Sequence, residues 1–288
     1  MESGYRGLRR AERELGLSVT FVDRIPPERD RLLEALRELA RSGASLIIAH
    51  GGQNNEAAQA AASEFPDTAF AVTQGNVSAA NLASYDVMQE QSAWLAGAAA
   101  GMLTRSNVVG HLSGIRVVPG LKGRAAFAAG LKRTNPRAQL LTNFSGTQDD
   151  AAVARRVALA EIDAGADIIF TMLNAGIPGA IDACHSRRIR QIGNVVDWVA
   201  INPEVFVASA IADVGAAVLL ACRNYREGRW EGGIVGRIGL ENPAAVRLAL
   251  APEVPAEVCA TVDELRNSIS TGEIRVLETY DGPEFDPR

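Results

Sequence analysis

The sequence has few of the residues that build metal centres and disulfide frameworks. Its 288 residues include three cysteines and three histidines. Cys184, Cys222 and Cys259 are far apart in the chain, and they form neither a CxxC pair nor a Cys/His cluster. Zinc sites and disulfide-linked domains show such spacings. We therefore expect free thiols buried in helices, no metal site and no cofactor.

The sequence also lacks the common signatures of catalysis and nucleotide binding. No GxGxxG, GxxxxGK(S/T), GxSxG or HExxH motif occurs. The sequence pattern also contains no set of residues typical of a nucleophile with its base, or of a metal centre. These absences disfavour an α/β enzyme and favour a protein that binds its ligand without chemistry.

Long apolar runs and excess positive charge are absent as well. The longest apolar run, Ala93–Leu103, is rich in alanine and glycine and is shorter than the ~20 residues of a membrane-spanning helix. Basic residues number 29 and acidic residues 34, which gives a net charge of -5. Nucleic-acid binding needs a concentrated basic face. We therefore expect a tightly packed core helix over 93–103 and no nucleic-acid partner.

Short β-branched, apolar segments alternate with helical segments along most of the chain. Segments 18–25 and 44–50, for example, have the composition of strands and flank a stretch with leucines at helical spacing. A second run of strand–helix units begins near Asn107 without a Pro- or Ser-rich linker. Crossovers of this length favour parallel strands with right-handed connections. The pattern predicts an α/β fold of two doubly wound parallel-sheet lobes with a hinge.

Three strand-like crossings between the two runs set the expected lobe boundaries. We predict an N-terminal lobe of residues 1–105 with 204–232, and a C-terminal lobe of residues 106–203 with 233–288. Open parallel sheets bind ligands at the carboxyl ends of their strands. The candidate ligand-binding residues are His50, Gly51, Gly52, Gln53, Gln74, Tyr85 and Gln89 from the first lobe, and Phe144, Gln148, Asn174, Asp197 and Trp198 from the second.

Several of these polar residues have two interpretations. The glycine-rich turn His50–Gln53 lacks a P-loop lysine, which favours a tight turn that admits a ligand to the backbone over phosphate binding. Asp197 and Trp198 could bond to and stack on a heterocycle. Alternatively, Asp197 caps a turn and Trp198 packs in the core. Asp150 precedes a helix and is expected to cap it, and His111 is expected to be a core residue with its hydrogen bond satisfied.

Several segments of the chain resemble a known protein family. Residues 46–72 read LIIAHGGQNNEAAQAAASEFPDTAFAV, and residues 89–104 read QEQSAWLAGAAAGMLT. The second segment matches a hallmark helix of the family, E..YLAG.aA..lT, through Glu90 and Trp94–Gly97. Gly146-Thr147 with Asp150, and Gly272–Val276, add further matches. The set resembles the basic membrane protein family, which comprises substrate-binding proteins of ABC importers and is typified by purine-nucleoside-binding lipoproteins.

The resemblance implies the type I periplasmic-binding-protein fold, whose two lobes close by hinge motion over a ligand in the cleft between them. It implies a purine nucleoside, a nucleobase or a similar small heterocycle as the ligand, and an ABC permease as the partner. It also implies a periplasmic or membrane-anchored extracytoplasmic location, with membrane attachment only through a lipid anchor. It implies no enzymatic activity.

The chain departs from the family pattern in two respects. Residues Met1–Leu8 resemble a helix that follows a leader, a first central strand and a ligand loop in family members, so those parts are expected to be missing here. Gln89 and Ala212 stand where nucleoside binders carry an acidic residue and a lysine for ribose, and Gln148 stands where an aromatic residue is usual. A free nucleobase therefore fits as well as a nucleoside.

A second function is compatible with the same scaffold. A start without a leader and three unpaired cysteines are also typical of a cytoplasmic ligand-sensing regulatory module. An in-frame lipobox upstream would favour import, whereas an in-frame DNA-binding domain would favour regulation.

Overall fold

The computed structural model describes residues 2–287 and contains two separate β-sheets. Each sheet belongs to one of two compact units. The first unit comprises the residues up to Val87 together with Asp213–Ile238, and the second comprises Met88–Ala212 together with the residues from Gly239 onwards. This arrangement confirms the predicted α/β fold class with two parallel-sheet lobes.

Helices and strands alternate along most of the chain, as the sequence predicts. In chain order the elements are α1 (Glu2–Leu15), α2 (Arg29–Arg41), β1 (Leu46–His50), a 3-10 turn (Gly52–Asn54), α3 (Asn55–Glu64), β2 (Ala69–Thr73), β3 (Leu82–Val87), α4 (Gln89–Leu103), β4 (Val108–Ser113), α5 (Val118–Thr134), β5 (Gln139–Phe144), α6 (Ala151–Asp163), β6 (Ile168–Met172), α7 (Ile177–Arg187), β7 (Arg190–Val195), α8 (Trp198–Ile201), β8 (Phe206–Ala212), α9 (Val214–Arg226), β9 (Val235–Ile238), β10 (Val246–Leu250) and α10 (Ala256–Ser270).

The first sheet has four parallel strands in the order β1-β2-β3-β9. Side chains of successive β1 residues point to opposite faces. Ile47 packs with leucines of α2 and alanines of α3, whereas Leu46 and Ile48 pack with Leu15 of α1 and Leu219 of α9. Because helices cover both faces, β1 is apolar at nearly every position, which is typical of a parallel strand.

The strand that the composition of residues 18–25 predicts does not form. The segment is irregular, and in the described part of the chain it pairs with no strand. Phe21 and Val22 are 48% and 52% exposed, and β1 forms one edge of the first sheet. Strand propensity reflects packing on a pleated surface with neighbours, and this segment has no neighbouring strand.

The second sheet has six strands in the order β10-β8-β7-β6-β4-β5. Five strands are parallel, and β10 runs antiparallel to β8, with Val246 opposite Ala212. The sequence pattern of strand–helix units predicted parallel pairing alone. The chain reaches β10 from β9 of the first sheet with no helix between them, so the alternation of strands and helices gives no indication of its direction.

Helix α4 packs against α5 with the two backbones in contact. A Cβ atom at Gly130 would lie 1.9 Å from the backbone oxygen of Trp94, and one at Gly97 would lie 2.0 Å from the backbone oxygen of Phe127. Glycine at both positions therefore sets the distance between the helices. The sequence also predicted a tightly packed helix over 93–103. No helix within residues 2–287 has the length and apolar content needed to cross a membrane.

The two units differ from the expected lobe boundaries at three elements. Helix α4, expected in the first lobe, belongs to the second unit because it packs on α5. Strand β8 lies in the second sheet, and β9 pairs with β3 in the first. The chain therefore changes units after Val87, after Ala212 and after Ile238.

Several titratable groups are buried in the core of the second unit. The carboxyl group of Glu161 on α6 is fully buried, and burial raises its pKa well above the usual value. Gly110 of β4 makes room for it, because a Cβ there would lie 2.4 Å from Glu161 Oε2. His111 is also fully buried and pairs through Nδ1 with the Thr142 hydroxyl at 2.9 Å. Burial lowers the pKa of His111 to about 3, so the ring is neutral. The predicted core position is confirmed, but among the described residues the buried Nε2 has no hydrogen-bond partner.

Because the backbones of α4 and α5 are in contact, adding a single methyl group at the interface should strongly destabilise the folded protein. We expect Gly130→Ala to lower the free energy of unfolding by about 2–4 kcal/mol, because the added methyl must push two backbones apart. Gly120→Ala on the same helix is the control, since its nearest neighbour is 3.3 Å away, and should change stability by less than about 1 kcal/mol. Urea unfolding measures both, and equal effects would contradict the close contact.

Glu161 predicts a specific pH dependence of stability. The neutral carboxyl is favoured in the folded state, so the stability it confers is complete below pH 4.5 and decreases as pH rises through the raised pKa. We expect Glu161→Gln to be more stable than the wild type at pH 8. Between pH 4.5 and the raised pKa, its free energy of unfolding should fall less steeply than that of the wild type, by up to ~1.4 kcal/mol per pH unit.

Urea unfolding at pH 5, 6.5 and 8 measures this slope. Glu161→Ala also removes the titrating group and should show the same flatter pH dependence, with lower stability at each pH because of the cavity. An unchanged slope in both variants would show that Glu161 ionises normally in the folded protein.

Candidate functional site

In the first unit, the turn after β1 is held against the turn after β2. Gly51 has a φ of 101° and donates its N–H to the Thr73 carbonyl at 3.0 Å. A Cβ at Gly52 would lie 2.7 Å from the Gln74 carbonyl oxygen. The side-chain amide of Gln53, which is exposed, donates to the His50 carbonyl at 3.2 Å. The structure therefore brings His50, Gly51, Gly52, Gln53 and Gln74 together at the carboxyl edge of the first sheet.

His50 is a titratable group at this edge. Its Nδ1 pairs with the Thr73 hydroxyl at 2.8 Å, and burial lowers its pKa to about 4. Gly4 of α1 leaves room for the ring, because a Cβ there would lie 2.7 Å from Nδ1. At neutral pH this edge therefore contains an uncharged imidazole, which can donate or accept a hydrogen bond according to its tautomer.

Gln74 and Tyr85 are both engaged within the first unit. The Gln74 side chain accepts from the Val87 N–H at 2.7 Å and donates to the Val87 carbonyl at 3.3 Å. Its backbone N–H donates to the Tyr85 carbonyl at 2.8 Å. Tyr85 is 2% exposed, and burial raises the pKa of its hydroxyl. In this structure Gln74 orders the turn before α4, and the ring of Tyr85 lies in the core.

In the second unit, three loops meet at the carboxyl edge of the sheet. The Gln148 carbonyl accepts from the N–H groups of Asn174 and Gly176, both at 3.0 Å. Gly114 lies beside the Gln148 side chain, because a Cβ at Gly114 would lie 2.6 Å from Gln148 Cγ. Asn174 is exposed, and Gln148 is half-buried. The loops after β4, β5 and β6 thus present two amide side chains at one edge. Gln89, the first residue of α4, is 9% exposed.

Two acidic residues at this edge cap helices. Asp150 Oδ1 accepts from the N–H groups of Ala152 and Val153 at 2.9 and 3.0 Å, which confirms its predicted capping role. Asp197 Oδ1 accepts from the Ala200 N–H at 3.1 Å, and Oδ2 lies 3.9 Å from an Arg247 nitrogen. The capping interpretation of Asp197 is thus realised through Oδ1.

Trp198 packs on its own sheet. Its ring stacks on Phe206 at a centroid distance of 5.3 Å, and its Nε1 donates to the Asn194 carbonyl at 3.1 Å. A Cβ at Gly193 would lie 2.2 Å from the Trp198 ring. The core interpretation therefore accounts for the face of Trp198 that stacks on Phe206.

Two residues with strained backbone mark these edges. Gln74 follows β2 with a φ of 54°, and Val195 ends β7 with a φ of 71°. A positive φ is rare for a β-branched residue such as valine. Strain of this kind is retained where the surrounding structure enforces it and is frequent at binding sites. Both positions coincide with strand ends that the sequence selected as ligand-binding candidates.

Two arginines of this edge, Arg116 and Arg124, belong to no sequence motif. Phe144, a predicted ligand contact, lies under the guanidinium groups of Arg116 and Arg124, at 4.8 and 4.9 Å from its ring centroid. Arg116 belongs to the loop after β4, at the carboxyl end of a strand. Arg124 lies on helix α5. The position of a residue within a helix does not indicate from the sequence whether its side chain reaches the ends of neighbouring strands.

The amide and imidazole side chains of these edges suit hydrogen bonding to polar small molecules, and the second edge also carries charged residues, among them Arg116, Asp150 and Asp197. Amides, a neutral imidazole and backbone groups of tight turns are present at the first edge, and two amides are present at the second. Such groups donate and accept in fixed directions and can recognise the edge of a ring system.

The chain is similar to proteins of known family and fold. The family described as "Bmp: ABC transporter substrate-binding protein PnrA-like" matches residues 1–279. A purine-binding protein from Brucella abortus (strain 2308) is 22% identical over 267 residues, which are 93% of this chain and 74% of that protein.

Two solved structures share the fold of the whole chain. A transcriptional activator of the comK gene from Bacillus halodurans has a TM-score of 0.83 and 20% identity, over 94% of each chain. A solute-binding protein of an ABC transporter system from Aeropyrum pernix K1 has a TM-score of 0.81 and 21% identity, over 97% of this chain and 89% of that chain. The predicted type I periplasmic-binding fold is thus confirmed. Because the family match extends over nearly all of the sequence, the chain belongs to the Bmp family of PnrA-like ABC transporter substrate-binding proteins.

Proposed function

We propose that this protein binds a purine-like heterocycle and delivers it to an ABC permease. The observation that carries the proposal is the set of uncharged hydrogen-bonding groups at the carboxyl edges of the two sheets. Gln148 and Asn174 present amides at the second edge, and a neutral His50 lies at the first. A purine edge offers alternating donors and acceptors, which such groups complement.

The proposed ligand is a nucleobase rather than a nucleoside. Ribose hydroxyls are bound well by charged partners, because hydrogen bonds to charged groups are the stronger ones. The positions at which the family resemblance places a carboxylate and a lysine hold Gln89 and Ala212, and Ala212 is 1% exposed. A flat base without its sugar needs neither charge.

The proposed location is extracytoplasmic, either periplasmic or attached to the membrane by a lipid anchor. Family relatives support this placement, since a relative from Pyrococcus horikoshii is described as a lipoprotein. The chain is proposed to bind neither nucleic acid nor a cofactor, and to act without catalysis.

A second candidate function is ligand sensing in gene regulation. It is favoured by the fold similarity to the Bacillus halodurans transcriptional activator over 94% of each chain. The Bacillus subtilis activator protein med is also 22% identical over 230 residues. Ligand binding is common to both functions, and only the partner differs. Co-purification with a permease would support import, whereas co-purification with promoter DNA or a regulator would support sensing.

Binding of purine bases is the first test of the proposal. We expect adenine, guanine or hypoxanthine at about 100 times its Kd to stabilise the folded protein by ~2.7 kcal/mol. Thermal unfolding with each base measures this effect, with the matching nucleosides and a hexose as comparisons. A response to the hexose alone would contradict the proposed ligand class, as would identification of a co-purified non-purine by mass spectrometry.

Substitutions at the second edge test the proposed contact residues. We expect Gln148→Ala to weaken binding of the responding base roughly ten- to a hundredfold, because one buried hydrogen bond is lost. Asp197→Ala should lower stability by ~1 kcal/mol through loss of the cap. A parallel loss of affinity in Asp197→Ala would show that its Oδ2 contacts the ligand.

Titration calorimetry measures both affinities, and Gln53→Ala makes the same test at the first edge. Thr261→Ala on α10, a helix remote in sequence from every proposed contact, is the control. Unchanged affinity in Gln148→Ala and Gln53→Ala would show that the proposed edges do not bind the base.

A further inference from the structure

The C-terminal segment of the chain lies on the second sheet beside the proposed ligand edge. After α10, residues 271–287 form neither helix nor strand. The segment attaches to β5, the edge strand, where the Phe285 N–H donates to the Thr142 carbonyl at 2.8 Å. The Asn143 side chain donates in return to the Phe285 carbonyl at 3.0 Å. Glu278 forms an ion pair with Lys122 at 3.1 Å.

One carboxylate of this segment is bound by two arginines. Glu284 accepts through Oε2 from Arg116 and through Oε1 from Arg124. These hydrogen bonds hold the pKa of Glu284 below its usual value, with Arg116 as the main cause. A charge-assisted pair of this kind is among the stronger hydrogen-bonded arrangements in proteins.

The two arginines form a preorganised site. Arg124 is 6% exposed, and its guanidinium lies 4.9 Å from the Phe144 centroid and 4.7 Å from the Tyr280 centroid. Arg116 covers the same Phe144 ring at 4.8 Å. Within the described residues, the buried Nε of Arg124 has no hydrogen-bond partner. A planar, stacked guanidinium is suited to carboxylate recognition, and one donor of this pair is still unused.

The position of the pair connects it to ligand binding. Arg116 lies in the loop that follows β4, and Phe144 is the last residue of β5. Both therefore lie at the carboxyl edge of the sheet, where open α/β sheets bind their ligands. Glu284 reaches this edge from an irregular segment, and its side chain is 36% exposed. A carboxylate held in this way can exchange with one from solution.

We propose that Arg116 and Arg124 form a carboxylate-binding site, and that Glu284 of the chain's own C-terminal segment competes for it with a carboxylate-bearing small molecule. The inference rests on the proposed function only in placing a ligand at this edge of the sheet. It extends that function by a second, anionic ligand class and by an internal competitor that sets the apparent affinity.

Calorimetric titration of the full-length chain with succinate tests the competition. We compare the wild type with Glu284→Gln, which keeps the shape of the side chain and removes its charge. If Glu284 occupies the arginines nine-tenths of the time, its removal raises the apparent affinity for succinate about tenfold. Succinamide, which has no charge, should bind to neither protein.

Two further variants make the result specific. Glu278→Gln removes a carboxylate from the same segment and should behave like the wild type. Arg116→Ala combined with Glu284→Gln should lose the gain. If Glu284→Gln does not fold, as judged by circular dichroism, Glu284→Asp replaces it, because the shorter carboxylate should give a smaller gain.

Equal succinate affinity in the wild type and Glu284→Gln would overturn the proposal. A gain in Glu278→Gln of the same size would also overturn it, because general loss of negative charge would then explain the effect. A gain in succinate affinity that persists in the double variant with Arg116→Ala would also overturn the proposal, because the arginine would then not bind the carboxylate. Purine binding is measured separately, so a chain that gains succinate affinity without binding a base supports this site and contradicts the purine proposal.

Discussion

Parallel pairing of buried strands is the constraint on which the architecture of both units depends. A parallel strand must be followed by a crossover, and the crossover helices cover both faces of the sheet. Ile47 and Ile48 of β1 illustrate the result, because they pack into different apolar clusters on opposite faces. Apolar residues therefore dominate the strands, and a polar residue inside a strand needs a buried partner, as His111 has in Thr142. The carboxyl ends additionally face the N-termini of the following helices, whose first N–H groups have no partner within the helix and are paired by capping residues such as Asp150.

Much of this architecture could be predicted from the sequence, since periodicity reports which faces are buried. The strand Leu46–His50 and the packed helix containing Ala93–Leu103 follow from composition alone. The failure at residues 18–25 shows the limit, because a β-branched segment becomes a strand only with a hydrogen-bonded neighbour. Antiparallel β10 was not predicted for a related reason. Pairing direction depends on where the chain returns, which no local pattern encodes.

Less of the candidate site could be predicted. The strand-end rule located the His50–Gln53 turn and Gln148, because topology alone determines which loops meet. The position of a residue at a strand end does not determine whether its side chain faces solvent or its own sheet. Trp198 is an example, because its position suits a ligand contact but its ring stacks on Phe206. The arginine pair was not identified for a further reason. Arg116 and Arg124 are joined by Glu284, 160 or more residues away in the chain.

The edge strand β1 has a consequence for how the protein behaves at high concentration. Natural sheets protect their edges with lysine, proline or bulges, and the sequence of β1, LIIAH, contains none of these. Among residues 2–287 no strand pairs with its outer side, so its outer backbone groups are a template for an extended chain, including that of a second molecule. The net charge of -5 opposes such association through mutual repulsion, and salt weakens that repulsion. The tendency of this chain to self-associate thus depends on two opposing factors, the unpaired backbone groups of β1 and the repulsion between negatively charged molecules.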